Sequence, residues 1–412
     1  MKNKRFFTQF FNSKYFVPFV LLLMLILYAF PFINRGIVFG HDLIYHLSRA
    51  MGAYEQIKLG IFPAKVLGGF YGGYGYAVGL FYPTGLLYII SFLLYFGVSL
   101  LISYKLWIVL ITFLTLISMY FSSYTIVSSK RFALVSTFLY VFSIYRNYAD
   151  LLARAALGEY IVFMFLPIVF ASFYAIVNKK QNQWLWLSIG MVGILTSHTI
   201  STIWVSLLLI IYTLIHFKDV YLDVKVFLTI VKAALFTLLI SIYYWLPMLE
   251  MMVSDTYRYN YPWTYLKHNV ITTWTKLFYI SPGLNIFPYG IESWLVLILV
   301  IGVITKFKSY LKHDFMKFTL IVLLLLFAFV SNIIPVNLLS IFDFMQFPWR
   351  VYLYITYFIC IAVAYFVELL SQKKQIVLIG SLVFITYFGY ISSINAYYIE
   401  KYDRIYTTFP RY

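Results

Sequence analysis

Long apolar runs alternate with short polar loops along most of this chain. Apolar runs of about 20 residues are typical of helices that cross a bilayer, because a helix satisfies all of its own backbone polar groups. The sequence predicts about eleven such helices, at residues 16–33, 101–127, 132–147, 160–178, 184–198, 200–217, 226–247, 293–305, 318–335, 351–371 and 376–394. The pattern therefore predicts an all-α polytopic membrane protein with a single transmembrane domain, residues 1–395.

Lysine and arginine residues cluster in alternate short loops, and this asymmetry predicts an orientation. The positive-inside rule assigns such loops to the cytoplasm. The N-terminus is then cytoplasmic, and the run 16–33 is an uncleaved signal anchor because no small-residue cleavage site follows it. The segments predicted to lie outside are residues 34–100, 148–159, 248–292 and 336–350, together with the tail 396–412. Most of the 14 acidic residues fall in these outer segments.

One apolar segment, residues 83–97 (PTGLLYIISFLLYFG), does not fit this count. If it crossed the membrane, every later loop would change sides and the basic loops would face outward. A run this short is more often interfacial or re-entrant. We therefore predict a short re-entrant or interfacial segment here, and a full span is the alternative.

Composition supports the membrane assignment and excludes several classes of function. The 412 residues are 63% hydrophobic and 11% charged, whereas soluble domains carry about 25% charged residues. The net charge of +17 does not indicate a nucleic-acid partner, because the basic residues lie in loops beside the apolar runs and face anionic lipid. The single cysteine, Cys360, provides neither a disulfide nor a CxxC site. No HExxH or GxSxG motif is present.

The first outer segment begins with concentrated polar chemistry, GHDLIYHLSRAMG at residues 40–52. Residues 42–59 predict an amphipathic helix along the membrane surface, on which Asp42, His46 and Arg49 share one face. That face is expected to point outward, toward a cavity or water. Asp42 is either an N-capping residue of an ordinary juxtamembrane helix or a functional carboxylate, and the sequence leaves both readings open.

A second polar cluster, YRNYADLLARAALGEY, contains Arg146, Asp150, Arg154 and Glu159. Asp150 is four residues from each of the two arginines, so a helical ion pair is the simpler reading for it. Glu159 follows Gly158 and directly precedes an apolar span. A carboxylate at this position is costly unless it faces a cavity or a partner, which favours a functional role.

Three further features are weaker candidates. His198 lies at the predicted turn between two helices, where a hydrogen-bonded turn residue is the common case. Arg350 opens a predicted span, either as an anchor that snorkels to the interface or as a phosphate ligand. The aromatic residues of FYGGYGYAVGLFYP, residues 70–83, are suited to stacking on a sugar ring, although most aromatic residues here must serve packing.

The order of these motifs resembles the GT-C superfamily of integral membrane glycosyltransferases, which use sugars linked to polyprenyl phosphate. The segments HDLIYHLSRA, GYGYAVGLFYP and RAALGE look closer to a bacterial membrane-protein family labelled "6-pyruvoyl-tetrahydropterin synthase-related", which is related to YfhO-like proteins. The resemblance covers roughly residues 15–370. It implies a multi-pass protein of a bacterial plasma membrane, with an extracytoplasmic active site.

The resemblance also implies roles for individual residues. Asp42 matches the first-loop acid of GT-C enzymes, and Asp150 or Glu159 matches the second-loop acid. The candidates for binding substrate are His46, Arg49, Arg154, His198 and Arg350. The sequence lacks the paired Asp-Glu, the Asp-x-Asp and the large C-terminal soluble domain of some members, so the metal ligands stay unknown and a divalent cation (Mg or Mn) stays possible.

The implied reaction is hexosyl transfer from a polyprenyl-phosphate donor to an envelope polymer or a glycolipid acceptor. Such transfer needs a base for the acceptor hydroxyl and cations for the leaving phosphate. Two alternatives remain: a transporter or flippase of lipid-linked saccharide, and a non-catalytic membrane scaffold. Transporters usually place ionisable groups near mid-membrane on broken helices, often with internal repeats. The sequence shows no repeat and its acids cluster in outer segments, which favours the enzyme.

Overall fold

The computed structural model describes residues 13–33, 35–38, 40–254, 278–279, 290–334, 345, 347–400 and 405–406. Within these ranges the chain is almost entirely helical. Much of the predicted outer segments 248–292 and 336–350, and most of the predicted tail 396–412, lies outside the described residues.

The helices follow one another with short connections. The first half of the chain forms α1 Phe16–Ala29, α2 Leu43–Lys58, α3 Tyr88–Tyr95, α4 Leu100–Ile126, α5 Lys130–Val141, a π-helix Tyr145–Arg154, and α6 Leu157–Val177. The second half forms α7 Trp184–Leu195, α8 Thr199–Ile215, α9 Phe217–Tyr221, α10 Val224–Ile240, α11 Ile242–Ser254, α12 Ser293–Lys312, α13 Asp314–Val330, α14 Tyr352–Glu368 and α15 Gln372–Glu400. Short 3-10 helices are Phe30–Phe32, Tyr71–Gly73, Ala77–Leu80, Gly85–Leu87, Gln181–Gln183 and Pro348–Val351.

Two small sheets accompany the helices. Strand β1 (Ile37–Val38) pairs antiparallel with β4 (Ile405–Tyr406), so that Ile37 is opposite Tyr406. Strand β2 (Phe278–Tyr279) pairs in parallel with β3 (Ile291–Glu292). The first pair joins the segment before α2 to the segment after α15.

Each of the eleven predicted apolar runs forms helix, which confirms the all-α membrane class. Fewer of these helices than predicted are long enough to cross a membrane. Among the described residues, five helices are long and apolar enough to cross a membrane, or six if α10 and α11 count as one span. The remaining predicted spans correspond to helices that are shorter than this, or less apolar, so eleven spans are not confirmed.

Several predicted boundaries were wrong. The helix predicted at 132–147 ends at Val141, and a π-helix follows it. The segment 148–159 is therefore not a loop, since the π-helix continues to Arg154 and α6 begins at Leu157. The helix predicted at 226–247 is two helices bent by 72°. Helix α12 extends beyond residue 305 to Lys312, and α15 extends to residue 400.

The centre of the bundle is formed by α6 and α14, whose side chains are almost all buried within the protein. A helix that is apolar on every side is stable only when other helices or lipid surround it. Helix α6 packs against α4 and α7, and α14 packs against α5, α12 and α13. The π-helix enters the bundle directly before α6, so polar groups at its end lie beside the most buried helix of the protein.

The segment 83–97 forms a 3-10 turn and the short helix α3, an apolar helix too short to span a bilayer by itself. Helix α2 packs along α3. The amphipathic helix predicted at 42–59 is therefore confirmed as a helix. Its environment differs from the expectation, because His46 and Arg49 on its polar face are buried within the protein.

Candidate active site

The GHD sequence at residues 40–42 docks directly on the end of the π-helix. The backbone N–H of His41 donates to the carbonyl of Ala153 (3.0 Å), and that of Asp42 donates to the carbonyl of Arg154 (2.8 Å). A Cβ atom on Gly40 would lie 2.1 Å from the carbonyl oxygen of Leu152. Glycine is therefore required here for a close backbone approach. This contact joins the two polar clusters of the sequence at one site.

Asp42 is exposed and occupies the N-cap position of α2. Its carboxylate makes no capping hydrogen bond, and it forms no ion pair with any described residue. Although part of the residue is exposed, the protein around the carboxyl group desolvates it and raises the pKa of Asp42 above its ordinary value, while Arg154, His41 and Arg350 oppose that rise. The reading of Asp42 as a capping residue is therefore not supported, and its carboxylate is available to a ligand.

The π-helix Tyr145–Arg154 supplies the charged core of the site. Long π-helices are rare, and short ones often occur at functional positions. The helix ends at Ala155, which adopts a left-handed conformation (φ 54°) and whose backbone N–H donates to the Asp150 carbonyl. The wider turn of this helix and its left-handed end set the direction in which Arg154 leaves the helix.

Three buried side chains form one ion-pair network at this end. Arg154 Nη1 donates to Asp150 Oδ1 at 3.0 Å, and Arg154 Nη2 donates to Glu159 Oε2 at 2.5 Å. Nη1 also lies 3.3 Å from the Tyr145 hydroxyl. The predicted Asp150–Arg154 pair is confirmed, and Arg154 is the partner that allows Glu159 to be buried. The second carboxylate oxygen of Asp150, Oδ2, is buried without a hydrogen-bond partner among the described residues.

Arg146, on the same π-helix, is held by neutral groups and not by a carboxylate of this network. It does not pair with Asp150, which was the other pairing that the spacing allowed. Its guanidinium donates to the carbonyl of Val141 (3.2 Å), to Asn147 Oδ1 (3.2 Å) and to Thr112 Oγ1 (3.1 Å). It also lies 4.4 Å from the ring centroid of Tyr160. These contacts make Arg146 a packing and hydrogen-bonding residue that holds the π-helix against α4 and α6.

His46 and Arg49 on the polar face of α2 point into the protein, so the prediction of an outward face was wrong for these two residues, whereas Asp42 is exposed. His46 and Arg49 are buried. Arg49 Nη2 donates to the carbonyls of Tyr82 (2.8 Å) and Pro83 (2.9 Å), and its guanidinium lies 4.4 Å from the Tyr82 ring centroid. Burial beside Arg49 lowers the pKa of His46 well below its ordinary value. His46 is therefore neutral at pH 7, and Arg49 fixes the end of the aromatic segment 70–83.

Tyr82 links the two halves of the site, and the sequence did not single it out within segment 70–83. Its ring contacts His46 (centroids 5.8 Å apart) and His198 (6.0 Å). A Cβ on Gly158 would lie 2.5 Å from the Tyr82 hydroxyl. The absence of a side chain at Gly158 therefore lets Tyr82 reach the start of α6, next to Glu159. The sequence signal for this contact was Gly158 directly before Glu159, because a residue without a side chain leaves room for a neighbour such as Tyr82.

His198 and Arg350 complete the cluster. His198 caps α8, because its Nδ1 accepts from the backbone N–H of Ser201 (3.3 Å) and lies 2.8 Å from the Ser201 hydroxyl. The prediction of a hydrogen-bonded turn residue is confirmed. Arg350, in the 3-10 helix before α14, interacts electrostatically with Glu159 and Arg154. Arg350 therefore lies within electrostatic range of the charged cluster.

Glu292 is a buried acid that the sequence reading passed over. Its Oε1 accepts a hydrogen bond from the backbone N–H of Ile144 (2.5 Å), and its Oε2 has no partner in the described part of the chain. Burial raises the pKa of Glu292 to about 7. The carboxyl group thus holds the residue that precedes the π-helix. In the sequence, Glu292 and Glu159 each stand directly before an apolar run, and this shared pattern was the signal that could have identified Glu292.

The assembled site contains four arginines and three carboxylates, namely Arg49, Arg146, Arg154, Arg350, Asp42, Asp150 and Glu159. The excess of cations suits an anionic ligand, and Asp42 is the one of these three acids that has no ion-pair partner among the described residues. The described residues contain no group of three or more His, Cys, Asp or Glu side chains that could hold a metal ion. No protein-family model matches the chain, and neither does any curated protein.

Proposed function

We propose that this protein is a GT-C-like glycosyltransferase that moves a sugar from a polyprenyl-phosphate donor to a cell-envelope glycan or glycolipid. One observation carries the proposal. The carboxylate of Asp42, which forms no ion pair within the described part of the chain, is held by backbone hydrogen bonds beside the buried cations of the π-helix end. A base next to cations is the arrangement that a single displacement at a phosphate-linked sugar requires.

In this reaction Asp42 accepts the proton of the acceptor hydroxyl. The acceptor oxygen forms a bond to the anomeric carbon of the donor sugar. The bond from that carbon to the phosphate oxygen breaks, and its electron pair leaves with the lipid phosphate. The step inverts the anomeric carbon and needs one base and no carboxylate nucleophile, so the lone Asp42 is sufficient.

Arg154 and Arg350 are proposed to bind the phosphate as its charge increases. Arg154 is directed by two acids, Asp150 at 3.0 Å and Glu159 at 2.5 Å. A charged side chain that is already held in place loses less entropy when it binds a ligand. In this proposal Asp150 and Glu159 are positioning residues for Arg154, and Asp42 is the one acid that contacts the acceptor.

A transporter of lipid-linked saccharide is the second candidate, and one observation favours it. Helices α10 and α11 are each too short to cross a bilayer, are long enough together, and are bent by 72° relative to one another. Broken helices form the substrate sites of many transporters. The break occurs at Ser241, whose hydroxyl donates to the Thr237 carbonyl at 2.6 Å. No residue of the charged cluster lies at this break.

The test uses the full-length protein in proteoliposomes with polyprenyl-phosphate-linked hexose as the donor and a membrane glycan extract as the acceptor. Asp42→Asn keeps the shape of the side chain and removes the base. We expect transfer to fall roughly 100-fold to 10,000-fold, the usual range for a general base. Glu55→Gln is the matched control, because the Glu55 side chain is an exposed acid on the same helix and Lys58 is its one ion-pair partner among the described residues. Its transfer rate should equal that of the wild type.

Two results would contradict the proposal. Retained transfer in Asp42→Asn at equal protein level removes Asp42 as the base. If the wild type moves the intact lipid-linked sugar across the bilayer without forming a glycosidic product, the protein is a transporter. The same vesicles distinguish the two outcomes when the glycosidic product and the distribution of the donor across the bilayer are measured together.

A further inference from the structure

A groove distinct from the charged site lies on the bundle between α4, α6 and the start of α7. Its volume is about 540 Å³, within the usual range for small-molecule sites. Most of its lining is apolar, with Leu114 and Phe121 on α4 and Met164 and Ile168 on α6. An apolar groove on the side of a membrane bundle is suited to a hydrocarbon chain.

Two serines give this groove a polar feature that packing does not explain. Ser122 and Ser172 line it, and the two residues are 6% and 4% exposed. Neither hydroxyl has a hydrogen-bond partner among the described residues. Neighbouring hydroxyls behave differently, since Ser118 donates to the Thr115 carbonyl and Thr125 donates to the Phe121 carbonyl. Both hydroxyl oxygens are open to the groove, so each can donate to a ligand that carries an acceptor.

The two serines lie at the same depth in the bundle. Ser122 is four residues from the end of α4 at Ile126, and Ser172 is five residues from the end of α6 at Val177. At 1.5 Å per residue these separations are about 6 and 8 Å along the helix axes. Both serines therefore lie within about two turns of the helix ends that lead into the basic loops.

The helix ends beyond the serines are basic. Lys130 and Arg131 follow α4, and Lys179 and Lys180 follow α6. All four are exposed. Lys179 pairs with Asp223 at 3.4 Å and Arg131 donates to Gln375, whereas Lys130 and Lys180 form no ion pair with any described residue. The loops next to the groove-lining residues Thr125 and Gln183 therefore carry a net positive charge.

We propose that this groove binds an anionic glycerophospholipid of the leaflet at the basic helix ends. One acyl chain fills the apolar part between α4 and α6. The ester carbonyls accept hydrogen bonds from Ser122 and Ser172, and the phosphate lies near Lys130 and Lys180. Along α6, Ser172 is thirteen residues from Glu159, which is about 20 Å. The lipid site is therefore separate from the charged site and does not depend on the proposed transfer reaction.

The experiment measures lipids retained by the purified full-length protein in native mass spectrometry, after equilibration with phosphatidylglycerol and phosphatidylcholine in equal amounts. We expect preferential retention of phosphatidylglycerol by the wild type. Lys130→Gln and Lys180→Gln should each reduce that preference about fivefold. The double variant Ser122→Leu/Ser172→Leu fills the groove and should abolish retention. Ser122→Ala/Ser172→Ala removes only the hydroxyls and serves if the larger side chains prevent folding.

Thr305→Leu is the matched control, because Thr305 is an exposed hydroxyl residue on α12 that does not line the groove. Its lipid retention should equal that of the wild type. Equal retention of both lipids by the wild type overturns the proposal. So does unchanged retention in both serine double variants, or displacement of phosphatidylglycerol by added polyprenyl phosphate, which would assign the groove to an isoprenoid chain.

Discussion

The acids of the charged site fall into two groups whose surroundings are opposite. Asp42 is exposed and its carboxylate has no described partner, whereas Asp150 and Glu159 are buried and held by Arg154. A buried ion pair reveals its contribution mainly when one partner is removed, because the other charge is then left uncompensated. An unpaired exposed acid contributes little to stability and is free to react. The comparison therefore separates residues that build the site from the one that acts in it.

The largest effect on stability is expected from Arg154→Met. This change leaves Asp150 and Glu159 buried without their shared cation, and losing one partner of a buried pair costs about 3–5 kcal/mol. Thermal unfolding of the purified protein in detergent measures the loss. Lys58→Met is the control, because its ion pair with Glu55 is exposed and should leave the melting temperature unchanged. Equal melting temperatures for Arg154→Met and the wild type would show that the network does not stabilise the fold.

The next effect tests the contact that joins the two groups of acids. Gly40→Ala places a Cβ atom 2.1 Å from the Leu152 carbonyl, so the chain must shift away from the π-helix. Overpacking of this kind typically costs about 1–3 kcal/mol, and activity should fall as Asp42 moves away from Arg154. Unfolding and transfer assays measure the two consequences.

Gly380→Ala supplies the control for that substitution. Gly380 lies within α15, and a Cβ there meets no atom within 4 Å. Because alanine favours a helix more than glycine does, stability should be unchanged or slightly higher. If Gly40→Ala proves as harmless as Gly380→Ala, the close backbone contact at Gly40 is not required.

The helical parts of this fold could be predicted because apolar runs long enough to form membrane helices leave few alternatives for the backbone. The Asp150–Arg154 pair could also be predicted, since a four-residue spacing places both side chains on one helical face. These features depend on residues close in sequence.

The docking of Gly40 on the π-helix could not be predicted, because it consists of hydrogen bonds between distant backbone segments that no side-chain pattern encodes. The prediction that the polar face of α2 points outward was wrong for a related reason. A stripe of Asp42, His46 and Arg49 suits water and a polar protein interior equally well. The backbone carbonyls of Tyr82 and Pro83 stabilise the inward orientation of Arg49, because they accept hydrogen bonds from its guanidinium. The π-helix was missed because ten polar and apolar residues in this order fit an α-helix too.

A smaller effect, with the opposite sign, is expected on the stability of Asp42→Asn. Folding raises the pKa of Asp42 above 3.8, so the ionised form is less favourable in the folded protein than in the unfolded chain. The contribution of Asp42 is therefore most favourable below the unfolded pKa and is lost as the pH rises through the folded pKa. At pH 7 the asparagine variant should be as stable as the wild type or slightly more stable, as measured by thermal unfolding.

The same shift fixes the acid side of the pH profile of transfer. Activity should decline as the pH falls through a pKa above 3.8, because protonated Asp42 cannot accept the acceptor proton. The neutral His46 should add no step near pH 6.5. A step near 6.5 that disappears in His46→Gln would assign the base to the histidine.

The smallest effect tests how the end of the π-helix directs Arg154. Ala155 has a φ of 54°, a conformation that costs most residues about 1–2 kcal/mol and costs glycine nothing. Glycine also makes the unfolded chain more flexible, which offsets up to about 1 kcal/mol of that gain. Ala155→Gly should therefore change the free energy of unfolding by at most about 1 kcal/mol. We expect a slightly higher melting temperature and an unchanged transfer rate. A clear loss of transfer at unchanged stability would show that the methyl group itself, packed close to Gly40, holds Asp42 against the π-helix.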